Sequence, residues 1–169
     1  MELPGSSYLY ALATLSITFS GFSALITVLR QVSGGGLSRY DAFLMVNYFL
    51  TGFAIAVFCM LPPLLSGLST DANIIWRAPS ALGAMVGIAV EIAALIRRRR
   101  AAEPAQGFVI AILLSYWPAF LLLIMSALNI LVRPGFGPYA GSLTWLFAMA
   151  GIDYIVALNI LFKMHNVQP

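Results

Sequence analysis

Charged side chains are scarce in this sequence. Asp, Glu, Lys and Arg together make up 9% of the 169 residues, whereas 61% of the residues are hydrophobic. A soluble domain of this size carries roughly 25% charged residues, so much of the apolar sequence has to face lipid instead of water. The composition therefore excludes an ordinary soluble domain. It predicts an all-α integral membrane protein that forms a single transmembrane domain over residues 1–169.

Residues that bind metals or drive covalent chemistry are equally rare. Cys59 is the only cysteine and His165 the only histidine, which excludes an intrachain disulfide and leaves no Cys-based metal motif. The sequence contains no Ser/His/Asp set, nucleotide loop or H-E-x-x-H pattern, so we expect no enzyme activity, cofactor or metal site. The net charge of +3 comes from residues at the ends of apolar segments, so we expect no nucleic-acid partner.

Five apolar segments are long enough to cross a membrane. Helical residues rise ~1.5 Å each, so about 20 of them span a ~30 Å hydrocarbon core. Prolines are expected to disturb two of the segments: Pro62-Pro63 ends or kinks the second, and Pro118 kinks the fourth and leaves the carbonyl of Leu114 without its usual donor. The five predicted spans are residues 8–29, 43–61, 80–96, 107–132 and 142–162.

The positive residues predict how these spans are oriented, because Lys and Arg accumulate on the cytoplasmic side of membrane proteins. With the N-terminus outside, seven positive residues are cytoplasmic and two are outside. The seven are Arg30, Arg39, Arg97, Arg98, Arg99, Arg100 and Lys163, and the two are Arg77 and Arg133. We therefore expect an outside N-terminus and a cytoplasmic C-terminus. The run of four arginines also suits anionic lipid head groups, although a topology signal alone explains it.

Two carboxylates lie inside predicted spans. Asp153 is near the middle of the fifth span, and Glu91 lies about one and a half turns inside the cytoplasmic end of the third. A charge at the bilayer centre costs at least ~2.5 kcal/mol on insertion scales, so both acids should face the bundle or water. An intramembrane acid is by default a candidate functional site. The alternative is structural: an acid that fixes helix register through hydrogen bonds.

Hydroxyl side chains recur at helical spacing along the first span. Two interpretations remain open: small residues for close packing, with hydroxyls bonded to carbonyls one turn back, or a polar wall beside a hydrated path or a buried carboxylate. Two of the serines lie at the depth of Asp153, and two asparagines lie near the level of Glu91. The candidate ion or proton path therefore comprises Asp153, Glu91, Ser16, Ser20, Ser23, Thr27, Asn47 and Asn159.

Small residues predict where helices approach one another closely. Gly83 and Gly87 are four residues apart and share a face with Glu91, and Gly21 keeps one side of the first span thin. Thin faces let helix backbones pack together in a membrane. Five helices also enclose only a narrow path, so we expect the protein to assemble as a homo-oligomer in the lipid bilayer.

A further pattern occupies the first half of the chain. It begins with Ser16–Ala24 (SITFSGFSA) and Leu29-Arg30, and continues with Leu37–Asp41 (LSRYD), Leu61-Pro62, Trp76-Arg77 and Ser80. In these motifs the chain resembles a group of small bacterial multi-pass membrane proteins of unassigned function. The resemblance implies a bacterial inner-membrane protein and carries over no activity.

Two functions are compatible with these features. The first is a homo-oligomeric channel or transporter-like protein for a small ion or proton, with Asp153 and Glu91 lining the polar route. The second is a non-conducting partner subunit or assembly factor, which would use the same thin faces to dock another membrane protein. The lack of any soluble domain suits the second function.

The predicted orientation can be tested with reporter fusions. Fusions after Arg100 and at the C-terminus should report a cytoplasmic location, because the positive residues cluster on that side. A fusion after Pro138 should report a periplasmic location. A periplasmic signal from the fusion at Arg100 would overturn the orientation.

Overall fold

The computed structural model describes residues 3–32, 39–68, 71–100 and 107–165, without the side chains of 30–31, 39–45, 94–95, 97–100, 107–113, 157 and 159–165. Its five helices confirm the predicted all-α architecture. They are α1 (Ser6–Val32), α2 (Arg39–Ser66), α3 (Ala72–Arg100), α4 (Gly107–Leu128) and α5 (Phe136–His165).

Four of the five helices are long and apolar enough to cross a membrane. Their apolar segments are Ser6–Leu29, Val46–Ser66, Ala72–Ala93 and Phe136–Val156, and the described apolar part of α4 is the shorter Leu114–Leu128. Large hydrophobic side chains cover the outside of the bundle; Ile17, for example, is 58% exposed and Phe22 57% exposed. A surface of this kind suits lipid and does not suit water.

α2 and α4 end at different residues from the predicted spans. α2 continues through both Pro62 and Pro63 to Ser66. The fourth predicted span runs on to residue 132, whereas α4 ends at Leu128. It ends there because Asn129 adopts a left-handed conformation with φ of 56°, and the amides that follow the helix bond back to its last turn as in a Schellman motif.

α5 donates hydrogen bonds to backbone carbonyls near the prolines inside α2 and α4. Pro62 has no N–H for the carbonyl of Phe58, one turn earlier, and the Tyr139 hydroxyl donates to that carbonyl at 2.6 Å. In α4, Trp145 Nε1 donates to the carbonyl of Ser115 at 2.7 Å, within the turn that precedes Pro118. Lipid offers no hydrogen bonds to backbone groups. The Tyr139 bond therefore replaces the one that Pro62 removes, whereas the Trp145 bond reaches the residue after Leu114, whose carbonyl Pro118 leaves without its usual donor.

The contribution of the Tyr139 bond can be measured with a matched pair of substitutions in α5. Tyr139→Phe should lower stability by about 1–3 kcal/mol, because it leaves a buried carbonyl unsatisfied. Tyr154→Phe should be nearly neutral, because the hydroxyl of Tyr154 has no hydrogen-bond partner among the described residues. Thermal unfolding in detergent provides the comparison. Equal melting temperatures for the two variants would contradict the role given to Tyr139.

Buried residues divide the bundle into two halves. The apolar half contains the starts of α1, α3 and α5 and the ends of α2 and α4; its buried residues are Leu9, Leu12, Ala13, Ile55, Ala56, Cys59, Ile75, Trp76, Ala84, Leu123, Tyr139, Ala140 and Leu143. The other half, called the tyrosine half here, is built around Tyr48 and Tyr154, with Phe19, Ile26 and Leu158 packed against them. The polar side chains of interest lie in the tyrosine half.

Close helix contacts depend on two glycines. At Gly52 of α2, a Cβ atom would lie 2.8 Å from the backbone oxygen of Ser16 in α1. At Gly87 of α3, a Cβ atom would overlap the ring of Phe120 in α4. Gly83 meets α4 at ordinary van der Waals distance, 3.5 Å from Leu123.

Gly21 has a different setting from these three glycines. It lies on an exposed face of α1, and no described atom outside its own helix backbone and chain neighbours lies within 4 Å of the place a Cβ would take. The packing role that the sequence suggested for Gly21 therefore has no counterpart inside the described bundle.

The two settings predict opposite effects of the same substitution. Gly52→Ala should destabilise the protein by about 1–3 kcal/mol, because the new methyl group is forced against the backbone of α1. Gly21→Ala should stabilise it by about 0.5–1 kcal/mol, because alanine favours a helix interior and has open space here. Melting temperatures of the purified variants measure both effects. A harmless Gly52→Ala would mean that α1 and α2 lie further apart than described.

Candidate functional site

Four polar side chains lie at similar depth in the tyrosine half of the bundle. Tyr48 is nine residues after the start of α2, Glu91 is nine before the end of α3, and Tyr116 is nine after the start of α4. Asp153 is twelve residues before the end of α5. These counts correspond to about 14 and 18 Å along a helix. Neighbouring helices joined by short connections run antiparallel, so the four residues lie within about one helical turn of a common level.

Asp153 is held by hydroxyl groups from two neighbouring helices. The Tyr116 hydroxyl donates to Asp153 Oδ2 at 2.6 Å. The Tyr48 hydroxyl donates to the backbone oxygen of Asp153 at 3.1 Å. A short hydrogen bond to a carboxylate is among the stronger ones in proteins. Asp153 is therefore fixed between α2, α4 and α5, and its half-buried side chain points toward α4.

Glu91 reaches the same place from α3. The contacts of Gly83 with Leu123 and of Gly87 with Phe120 set the antiparallel register of α3 and α4. One turn further along both helices, on the same faces, are Glu91 and Tyr116. The Oε2 atom of Glu91 is buried. Tyr116 therefore donates to the carboxylate of Asp153 and lies opposite the acid of α3.

An aromatic layer separates this cluster from α1. The ring of Tyr154 packs edge-on against Tyr48 and Phe19, with centroid distances of 5.4 and 5.2 Å. Phe19 in turn packs against Phe147 at 5.8 Å. Edge-to-face aromatic pairs of this kind fill space closely. They fill the space between α1, α2 and α5 on this side of the cluster.

The hydroxyl stripe of α1 is used for helix packing. Ser20 Oγ donates to the carbonyl of Ser16 at 3.1 Å and to that of Phe49 in α2 at 3.0 Å. Ser23 and Thr27 donate to carbonyls one turn back in α1, at 3.0 and 2.8 Å. These bonds fit the packing interpretation for Ser20, Ser23 and Thr27. The Ser16 hydroxyl is buried and has no hydrogen-bond partner among the described residues.

The other predicted site residues are Asn47, Asn159, the four arginines and Pro118. Asn47 is half-buried, and its backbone oxygen accepts a bond from Thr51. The side chains of Asn159 and Arg97–Arg100 are outside the described residues. Pro118 lies inside a continuous α4. Within the described part of the chain, no three His, Cys, Asp or Glu side chains are grouped closely enough to hold a metal ion.

Sequence reasoning missed the two tyrosines that hold Asp153. Tyrosine in membrane helices is enriched at the interfaces, where its hydroxyl reaches water. Tyr48 and Tyr116 instead lie about two and a half turns inside their helices. A tyrosine at that depth needs a partner for its hydroxyl. Both tyrosines could have been identified from the number of residues between them and their helix ends, because that number is close to the one for each of the two acids.

Comparison with protein-family models, curated proteins and solved structures finds no match to this chain. The resemblance of its first half to small bacterial multi-pass proteins therefore stays an expectation from the sequence.

Proposed function

We propose that the protein is a homo-oligomeric, channel- or transporter-like protein of the bacterial inner membrane that conducts protons through the Asp153–Tyr116–Glu91 cluster. In this proposal all five helices cross the membrane, with the N-terminus outside and the C-terminus in the cytoplasm. The apolar helices support embedding, and the bias of positive residues supports the orientation.

The observation that carries the proposal is the hydrogen bond between Tyr116 and Asp153, opposite which the register of α3 and α4 places Glu91. Carboxylates and hydroxyls are groups that accept and release protons. Intramembrane acids that face a bundle interior commonly form proton relays in pumps and transporters. Two acids from α3 and α5 around one tyrosine of α4 match that pattern more closely than a cation site, which would require several oxygen ligands around one point.

A second candidate function is a non-conducting partner subunit of another membrane protein. It is favoured by one face of α1, on which Thr14, Thr18 and Gly21 are exposed. Both threonine hydroxyls bond within the helix, so this face is thin and has satisfied polar groups. Such faces pack well against other transmembrane helices. A second copy of this chain or a different protein would fit there.

Substitutions of Asp153 separate proton transport from helix packing. Asp153→Asn should fold normally and abolish proton flux in liposomes, because an amide keeps the hydrogen bonds but cannot titrate. Asp153→Leu should in addition lower stability, because it leaves the Tyr116 hydroxyl unpaired. Asp71→Asn is the matched control: Asp71 is exposed at the start of α3, and asparagine caps a helix as well as aspartate does.

Several outcomes would contradict the proposal. Full flux in Asp153→Asn would make Asp153 a structural residue. Absence of flux in the wild-type protein, with a single protomer mass in detergent, would favour the partner-subunit function. Loss of flux in Asp71→Asn as well would show that the assay responds to general damage.

A further inference from the structure

We propose that the Tyr116 hydroxyl relays a proton between Glu91 and Asp153, so that the two acids act as one proton site. This inference rests on the proposed function of the cluster and adds a route within it. Glu91 lies about three residues nearer to the arginine-bearing end of the bundle than Asp153 does. In the proposed orientation, a proton from the cytoplasm reaches Glu91 first.

The geometry of Tyr116 suits this role. Its hydroxyl already donates to Asp153 Oδ2 at 2.6 Å, which is a normal distance for proton exchange between oxygens. The register of α3 and α4, set by the contacts of Gly83 with Leu123 and of Gly87 with Phe120, places Glu91 opposite Tyr116 one turn further along. Tyr116 is 8% exposed, so bulk water competes little with either carboxylate for the hydroxyl.

The transfer is balanced without any further reactant. Tyr116 gives its hydroxyl proton to the carboxylate of Asp153, and its oxygen takes the proton of a protonated Glu91. One O–H bond breaks and one forms at Tyr116, which is neutral before and after the transfer. The net change is one proton moved from Glu91 to Asp153. The reverse sequence returns it.

Tyr116 differs from Tyr48, in the same half of the bundle, in the group to which its hydroxyl donates a hydrogen bond. Tyr48 from α2 and Tyr116 from α4 both donate to Asp153, and the register of α3 and α4 places Glu91 opposite Tyr116. Tyr48 donates to a backbone oxygen, which has no proton to exchange. α1 contributes the aromatic and aliphatic side chains of Phe19 and Ile26 to this half. Tyr116 is therefore the hydroxyl that connects the two acids.

The relay can be tested by time-resolved infrared spectroscopy of the purified protein in lipid nanodiscs. A rapid drop in pH should produce the carbonyl bands of protonated Glu91 and Asp153, which are assigned with Glu91→Gln and Asp153→Asn. In the wild-type protein the Asp153 band should rise after the Glu91 band. In Tyr116→Phe the rise of the Asp153 band should slow by on the order of 100-fold, the lower end of what a positioned acid–base group contributes.

A control and a second readout distinguish a relay from a structural effect. Tyr154→Phe removes a neighbouring buried hydroxyl that has no partner among the described residues, and the rate should stay at the wild-type value. Tyr116→Phe should still bind the same number of protons at equilibrium, because both carboxylates remain. An unchanged rise of the Asp153 band in Tyr116→Phe would overturn the relay.

The same measurements keep this inference apart from the proposed function. Sequential protonation that depends on Tyr116, together with no net flux in liposomes, would support the relay and contradict proton transport across the membrane. Flux that depends on Asp153 but not on Tyr116 would support transport and overturn the relay.

Discussion

The structure depends on one constraint: every backbone polar group inside an apolar bundle has to find its hydrogen bond within the protein. Pro62 in α2 breaks that condition locally, and α5 restores it with the Tyr139 hydroxyl. The Trp145 ring nitrogen of α5 bonds to the carbonyl of Ser115, in the turn before Pro118 of α4. At the end of α4, Arg77 of α3 donates to the carbonyl of Ala127 at 2.8 Å. Terminal carbonyls of a helix have no partners within it. Side chains from neighbouring helices therefore complete the backbone bonding of α2 and α4.

These bonds also set the rotation of α5. Tyr139, Trp145 and Asp153 all donate to or accept from other helices, and they are spread along about four turns of the same helix. A helix fixed at its start and middle has little freedom to rotate further along. Asp153 consequently faces Tyr116 because α5 is already held against α2 and α4. The hydrogen bond between Asp153 and Tyr116 is the third bond along α5 that fixes the rotation of this helix.

The sequence predicted the helices better than it predicted their partners. Apolar length and the charges at segment ends indicate where helices lie, because the cost of exposing backbone to lipid acts locally along the chain. Asp153 and Glu91 were identifiable because a carboxylate in an apolar run is costly wherever it lies. Tyr116 is 37 residues from Asp153 and Tyr139 is 81 from Phe58. Their pairing depends on which face each helix turns toward its neighbour, and no local pattern encodes that.

The hydroxyl stripe of α1 also shows that a local sequence pattern predicts position better than it predicts role. Periodicity correctly places Ser16, Ser20 and Ser23 on one buried face, yet two opposite roles share that periodicity. Gly52 brings the backbone of α2 so close to α1 that the Ser20 hydroxyl bonds to the carbonyl of Phe49, whereas the buried hydroxyl of Ser16 has no hydrogen-bond partner among the described residues. In α3, the absence of a side chain at Gly87 likewise lets the ring of Phe120 in α4 approach the helix backbone closely. The residue one turn further along is Glu91, which the same register places opposite Tyr116. The same kind of glycine contact therefore has different neighbours on the two helices: in α1 a hydroxyl that bonds to a carbonyl of α2, and in α3 an acid with a buried oxygen atom.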